Sequence, residues 1–422
     1  MKNLFLAILA CCMLTQCQTL NSEVTPILFT IDHFDVPNNK MEVTFSITNT
    51  TNSLWEGGNW SLHWNSIFGE TVPESLPEGM KYTYVNGQQY LILVFGEQYS
   101  LKPNENLSFS FTQKGIIPRL AMGPSGFFVR NEKTQTSTDL ESEILWENAK
   151  GIEDLKLPSA ADRYKTYETL ELLNKEELSW VIPSPQKQQF NGEYRTSSDL
   201  NIDLNDFDLD QDFIKKRLQE GLSISVSSNA TEEINLRVIK NNALDAEAYT
   251  LEILENEIRI EASQPAGAFY AFESLHQILL IAQNEKKGWP LLTIEDAPRF
   301  QNRGFMSDVA RNFYPKEKLF QILDYMALYK LNRFDLKLTD DDGWRIEIPG
   351  LPELTEIGAK RGYTLNEKDR LIPMYGSGSG NENSSGNGFL TGQDFIEIIQ
   401  YAKQRNIEVI PQVSFPSHAR AA

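Results

Sequence analysis

DAPRFQNRGFMSDVARNF (296–313), LNRFDLKLTDDDGWRIEIPGLPEL (331–354) and RNIEVIPQVSFPSHARAA (405–422) decide the fold. The rhythm around them is strand, helix, strand, helix, strand. Arg303–Asp308 reads as a short strand. Pro315 stands where the first helical residue belongs, and Leu319, Ile322, Leu323 and Met326 mark a buried stripe running to Lys330. Asn332–Leu338 reads as a second strand. A long loop, 339–388, contains the low-complexity run YGSGSGNENSSGNG (375–388). Thr391 and Asp394 predict a capping box for a helix to Arg405, and Ile407–Val413 predicts a third strand. Repeated strand–helix units imply a parallel sheet or barrel, whose working residues sit at the carboxyl ends of the strands. Those ends are Asp308/Arg311, Thr339–Asp341 and Ser414–His418. A closed barrel takes about 250 residues, whereas 296–422 supplies 127. The expectation is an incomplete (β/α)8 TIM barrel in the N-terminal portion of a longer protein.

Upstream, 180–295 reads as a small α+β domain. Leu209–Glu220 is helical with Gly221 as its stop. Strands are expected at Ile234–Ile239, Tyr249–Leu254 and Glu257–Ala262, with a tight turn at Glu255-Asn256. A helix from Pro265 aligns Ala268, Phe272, Leu275 and Leu279 on one face, and His276 reads as a helix-face residue with a satisfied partner. Residues 151–179 form a connector, and 24–150 read as a β-sandwich. There Val43, Phe45 and Ile47 alternate with polar residues, as do Leu107, Phe109 and Phe111, while Tyr90–Phe95 is a continuous apolar run. Trp55, Trp60 and Trp64 allow two readings, sugar-stacking faces or core residues.

All three cysteines are Cys11, Cys12 and Cys17, which excludes a disulfide framework in the body of the chain. Lys2, the apolar run Leu4–Leu14 and Leu14-Thr15-Gln16-Cys17 read as a signal segment, 1–17, of lipoprotein type with lipid attachment at Cys17. Ile8-Leu9-Ala10-Cys11 is a second candidate box, and a plain secretory signal is the alternative. The expected location is the periplasm or the outer membrane of a bacterium, with membrane attachment through an N-terminal lipid only. The charge balance is 39 − 58 = −19, which disfavours nucleic acid and anionic lipid surfaces as partners. Four histidines leave little for a multi-histidine metal centre.

The three opening stretches resemble glycoside hydrolase family 20, the β-N-acetylhexosaminidases, and in particular its bacterial chitobiase-like members. EAYTLEI…AGAFYAFESLHQIL (247–279) is similar to the family's α+β domain, and 58–67 to its N-terminal sandwich. The resemblance implies that Arg311 binds the 3- and 4-hydroxyls of a terminal sugar, a guanidinium fork suiting a vicinal diol. An ion pair with Asp308 is the alternative reading of Arg311. It implies that Asp340 and Asp341 organise the floor of the sugar pocket, where the residues alone would read as a charged turn. It implies that Trp344 and Arg345 shape the loop behind them, and that His418 supports the catalytic acid's neighbourhood. The implied reaction is exo-hydrolysis of terminal N-acetyl-D-hexosamine with retention, the substrate's own acetamido oxygen serving as nucleophile. No metal or organic cofactor is implied, because the substrate supplies that group. The family's adjacent Asp-Glu pair follows a fourth strand, so the pair is expected beyond Ala422 and the 422-residue chain is expected to be inactive.

The chain departs from the family pattern at Asp335 and Lys337, where His is common; they are two apart on one strand and read as a mutually paired substitution. It departs again at Ser307, and at Gln412, Ser414 and Ser417 within IPQVSFPSH. Two other functions remain in view. One is a non-catalytic sugar-binding surface lipoprotein using the sandwich tryptophans and a relic pocket, and the other is a purely structural surface module.

Overall fold

The computed structural model describes residues 26–422 apart from positions 68, 86–88, 120–121, 159, 172, 174–177, 196–198, 205–206, 208, 221–232, 286–287 and 381–383. Cys11, Cys12, Cys17 and Gly221 therefore lie outside the described residues. Chain contacts divide the molecule into two units, 1–160 with 361–386 and 161–360 with 387–422.

The first unit holds β1 (Ile27–Asp35), β2 (Lys40–Thr48), β3 (Trp60–Asn65), β4 (Glu70–Thr71), β5 (Met80–Tyr84), β6 (Tyr90–Phe95), β7 (Asn106–Lys114), β8 (Ser125–Asn131), β9 (Thr136–Asp139) and β10 (Ser142–Leu145). They form two five-stranded sheets, ordered β10-β1-β2-β7-β4 and β5-β6-β3-β8-β9. The alternation in β2 buries Met41, Val43, Phe45 and Ile47 on one face. These residues share one core with Trp60, Trp64, Phe95 and Phe127 of the other sheet. Trp60 stacks on Phe95 with centroids 3.8 Å apart and donates its indole N–H to the Tyr99 carbonyl at 2.8 Å. Trp55, Trp60 and Trp64 are all buried. The core reading of these rings is the one the structure supports, and the sugar-stacking reading is withdrawn because no face is accessible.

Every residue of β3 is buried, so both of its faces are covered. The second cover is the segment 361–386. Its Ile372, Met374 and Tyr363 pack against Tyr90 and Phe128. The Arg130 guanidinium lies 3.8 Å over the Tyr363 ring. Asn65 Oδ1 accepts from the Gly376 amide at 3.2 Å, and Asp139 Oδ1 from the Ser379 amide at 2.7 Å. Gly378 has φ +63°, and an added Cβ would lie 2.7 Å from Asp139 Oδ1, so a side chain has no room there. Under this cover His63 bonds Ser61 Oγ at 2.7 Å and Tyr90 Oη at 2.6 Å. Burial, helped by Arg130, lowers its pKa to about 3 and keeps the ring neutral. The 339–388 stretch, expected to be one loop of the strand–helix block, is thus divided: its middle belongs to the two-sheet unit, since its apolar residues find their partners there.

The second unit continues from α1 (Ala160–Glu168) through β11 (Lys187–Arg195), β12 (Asp199–Asp203), α2 (Gln211–Glu220), β13 (Glu233–Lys240), β14 (Tyr249–Ile253), β15 (Glu257–Ala262), α3 (Pro265–Glu285) and β16 (Trp289–Asp296). The sheet order is β11-β16-β14-β15-β13-β12. Ala268, Phe272, Leu275 and Leu279 of α3 are buried in the core that this sheet lines. Arg217 of α2 pairs with Glu273 of α3 at 3.0 Å, and His276 Nδ1 lies 3.8 Å from the same carboxylate.

After this sheet come β17 (Gly304–Asp308), α4 (Lys316–Leu328), β18 (Arg333–Lys337), the short hairpin β19 (Thr339–Asp340) and β20 (Gly343–Trp344), α5 (Glu353–Glu356), α6 (Gly392–Lys403) and β21 (Glu408–Gln412). β17, β18 and β21 form a parallel three-stranded sheet. Phe334 and Leu336 are buried in one core with Leu319, Leu323 and Met326 of α4 and Ile398 and Ala402 of α6. The capping box at Thr391 and Asp394 is present. Pro315 is the N-cap residue of α4, one position before the one expected. Among the described residues no helix is long and apolar enough to cross a membrane.

Candidate functional site

β17, β18 and β21 run parallel, so Asp308, Lys337 and Gln412 finish at one edge of their sheet. The backbone beyond each strand turns across that edge, and the charged residues of the three stretches meet there.

Asp308 caps its own turn, accepting from the Ala310 and Arg311 amides at 2.9 and 3.1 Å. Its other oxygen takes Arg311 Nη1 at 2.6 Å. Arg311 Nη2 lies 2.8 Å from Asp340 Oδ1, and its Nε lies 3.5 Å from Asp342. One guanidinium is thereby fixed by carboxylates from two separate loops. Its side chain is still 30% exposed, enough to meet a ligand from the open side. Arg311 pairs with Asp308, as its ion-pair reading expects, and also reaches Asp340.

Asp340 is almost inaccessible. Burial alone would push its carboxyl up. The Lys337 ammonium, 2.9 Å from Oδ2, the Asp341 amide at 2.8 Å and Arg311 together outweigh it and hold the group below its usual range. Asp341 turns outward and accepts from His418 Nδ1 at 2.9 Å and from the Arg420 amide at 3.2 Å. The same His418 nitrogen is 3.4 Å from Asp340. His418 adopts φ +55°. Arg311, Asp340, Asp341 and His418 therefore come together at one edge.

Arg345 supports this arrangement from beneath. It is fully buried, and every partner named here is a backbone carbonyl: Ala310 from Nε and Nη2, Ala359 and Gly388 from Nη1, at 2.8–3.2 Å. Gly343 makes room, since a Cβ there would lie 2.5 Å from Arg345 Nε and 2.6 Å from the Ala310 oxygen. The loop carrying Arg311 and the hairpin carrying Asp340 are thus pinned to one internal cation.

One expectation is corrected. Asp335 and Lys337 share a face but do not pair. Lys337 reaches past the strand end to Asp340 and to Ser414 Oγ at 3.1 Å, and Asp335 has no ion-pair partner among the described residues. The lysine stem is long enough to leave its strand neighbour for the buried carboxylate. The parts played by Lys337, Asp342 and Ser414 were missed from sequence because they depend on how separate loops meet; the Lys337–Ser414 separation is 77 residues.

Ligand atoms of Asp340, Asp341 and His418 lie within 4.8 Å of one another. Asp340 already has a cation against each oxygen, so the donor set suits ion pairing better than a metal ion. At the other end of the same strands is a cavity of about 320 Å³, lined by Tyr249, Tyr270, Phe300, Arg303 and Lys330 among others. Apart from Arg299, its charged groups pair with one another. Lys330 Nζ donates to Tyr249 Oη at 2.8 Å and to Asp296 at 3.0 Å, and Arg303 pairs with Glu247 at 3.2 Å.

Residues 300–422 match glycosyl hydrolase family 20, catalytic domain, and residues 179–297 match domain 2 of the same family. The chain belongs to glycosyl hydrolase family 20. Among curated family 20 relatives, N,N'-diacetylchitobiase of Vibrio harveyi is 51% identical over 175 residues, 42% of this chain and 20% of its own length. Beta-hexosaminidase of Vibrio vulnificus is 34% identical over 271 residues, 64% of this chain and 31% of its own. The match thus spans a fifth to a third of those relatives' length. The fold over 94% of the chain is similar to the crystal structure of a family 20 exo-β-N-acetylglucosaminidase from Vibrio harveyi in complex with N-acetylglucosamine, with TM-score 0.71, 24% identity and 58% of that chain covered. The chain is thus related to proteins named chitobiase and beta-hexosaminidase.

Proposed function

We propose that this chain supplies the sugar-gripping part of an exo-β-N-acetylhexosaminidase acting on terminal N-acetyl-D-hexosamine residues of oligosaccharides or glycoconjugates. The observation that carries the reading is Arg311 held between Asp308 and Asp340 at the carboxyl edge of three parallel strands. A guanidinium already fixed by two carboxylates loses little freedom when it donates to a vicinal diol. In this reading the three parallel strands and the helices α4 and α6 between them open a (β/α)8 barrel, with the two-sheet unit as a β-sandwich and the six-stranded unit as the α+β domain before it. Catalysis is substrate-assisted and retaining. A Glu would protonate the leaving oxygen and a neighbouring Asp would hold the acetamido group; the reading assigns that pair to a position after a fourth strand, and assigns no general acid among Arg311, Asp340, Asp341 and His418. No cofactor enters. Export with lipid attachment at Cys17 completes the proposal, resting on Lys2, Leu4–Leu14 and Cys17. Labelling of the expressed protein by a fatty-acid probe, lost in C17S, tests that part.

The test of the site is titration of the chain with N-acetylglucosamine, followed by calorimetry or NMR. Binding by the wild-type chain and loss of about tenfold or more in Arg311→Met is expected, the size of one charge-assisted hydrogen bond or more. Equal affinity in the variant refutes the assignment.

A further inference from the structure

We infer that Lys337 is a positioning residue for Asp340, locked in place by Ser414, and that it thereby sets the geometry with which Arg311 meets the sugar. The inference deepens the reading of this edge as the sugar site and rests on it.

Asp340 Oδ1 is occupied by Arg311 Nη2 and the Asp341 amide, each at 2.8 Å. Oδ2 is buried, and the cation beside it is Lys337, at 2.9 Å. The charged groups around the Asp340 carboxylate are Arg311 from the loop after β17, Lys337 from β18, Asp341 and Asp342 from the hairpin, and His418 from the loop after β21. Asp308 reaches the cluster through Arg311. Of these, Lys337 alone is assigned to the inner oxygen. Without it a buried carboxylate oxygen would face three other aspartates with one cation fewer. The carboxylate would then rotate outward or take up a proton, and either response moves or weakens the oxygen that orients Arg311.

A lysine stem is flexible and needs a second anchor to hold one geometry. Ser414 provides it. Its Oγ accepts from Lys337 Nζ at 3.1 Å and donates to the Thr339 carbonyl at 3.2 Å, while its amide donates to Thr339 Oγ1 at 2.8 Å. Thr339 immediately precedes Asp340. One hydroxyl therefore fixes the lysine and the backbone beside its target together. Its neutrality matters as well, because a carboxylate at 414 would draw the ammonium away from Asp340.

The experiment uses the full 422-residue chain labelled with ¹³C at the aspartate carboxyl carbon. The Asp340 signal is followed against pH, and affinity for N-acetylglucosamine is measured on the same samples. In K337M the Asp340 titration midpoint rises and affinity falls by about tenfold. K337R keeps both near wild type. S414A shifts both in the same direction by less, and serves if K337M does not fold. D335N moves neither. An unmoved Asp340 midpoint in both K337M and S414A, or an equal response to D335N, overturns the inference, even where thermal stability drops. Midpoints that move as expected in chains that bind no N-acetylglucosamine uphold the positioning of Asp340 and count against the sugar-site reading instead.

Discussion

The two ends of the short parallel strands carry opposite charge arrangements. At the amino ends, Lys330 and Arg303 pair with Asp296 and Glu247, and these four groups are largely buried. At the carboxyl ends, Asp308, Asp340, Asp341 and Asp342 face Arg311 and Lys337, with His418 beside them. The first arrangement is closed and fastens the sheet of the preceding domain to the strands. The second keeps an anionic excess and a partly exposed guanidinium, which is what an incoming polyhydroxylated molecule can use. A balanced buried network is a fastening, whereas the half-open cluster is the one the proposed function uses as a site.

The largest effect is expected where balance is broken in the closed network. Lys330→Met leaves Asp296 with only the neutral donors Tyr249 Oη and the Gln186 amide and should cost about 3 kcal/mol in urea unfolding, the scale for removing one partner of a buried pair. Sugar affinity per folded molecule should be unchanged, and a loss of affinity would join the two ends that the comparison separates. The Arg217–Glu273 pair gives a pH test. Burial raises the Glu273 carboxyl, but the contacts of His276 and Arg217 outweigh it, so its folded pKa lies below the ordinary 4.5. A carboxyl depressed on folding stabilises above its unfolded pKa, and that contribution is lost as pH falls through the folded value. Wild-type stability should therefore decline as pH drops below about 4.5, and Glu273→Gln should flatten that decline while lowering stability at neutrality. At the open end the balance of effects reverses, since Arg311→Met should reduce N-acetylglucosamine affinity by about tenfold or more. A stability loss there exceeding that of Lys330→Met would break the comparison. The smallest effect is expected at the cap of α6, where Thr391→Ala should cost about 1 kcal/mol and leave affinity alone.

Much of this was readable in the residues. The alternation of Val43, Phe45 and Ile47, the apolar face of α3 and the Thr391–Asp394 cap are local patterns, and local patterns survive folding. The meeting of Arg311 and Asp340 was expected because both follow strands of one sheet. β16 was missed, as its run WPLLTIED resembles the end of a connector until β11 and β14 flank it. The edge strand β11 is largely polar and shows no period, whereas β12 alternates over too few residues to be read alone. One face of β3 is covered by chain some 300 residues away, and a Gly- and Ser-rich run gives no sign of being a cover. Lys337 was assigned its nearest opposite charge, Asp335, when reach and burial favoured Asp340.

Arg345 has one more consequence. Its Nη1 donates to the carbonyls of Ala359 and Gly388 at 2.8 and 3.1 Å, and the Gly388 amide donates to the Ala359 oxygen at 3.1 Å. These two residues flank the whole excursion 361–386, so its stem is already zipped shut within the strand–helix unit. Exchanging everything beyond that stem for a two-residue turn would leave the stem itself closed, while Tyr90 and Phe128 of the two-sheet unit would lose the apolar cover that Ile372 and Met374 give them.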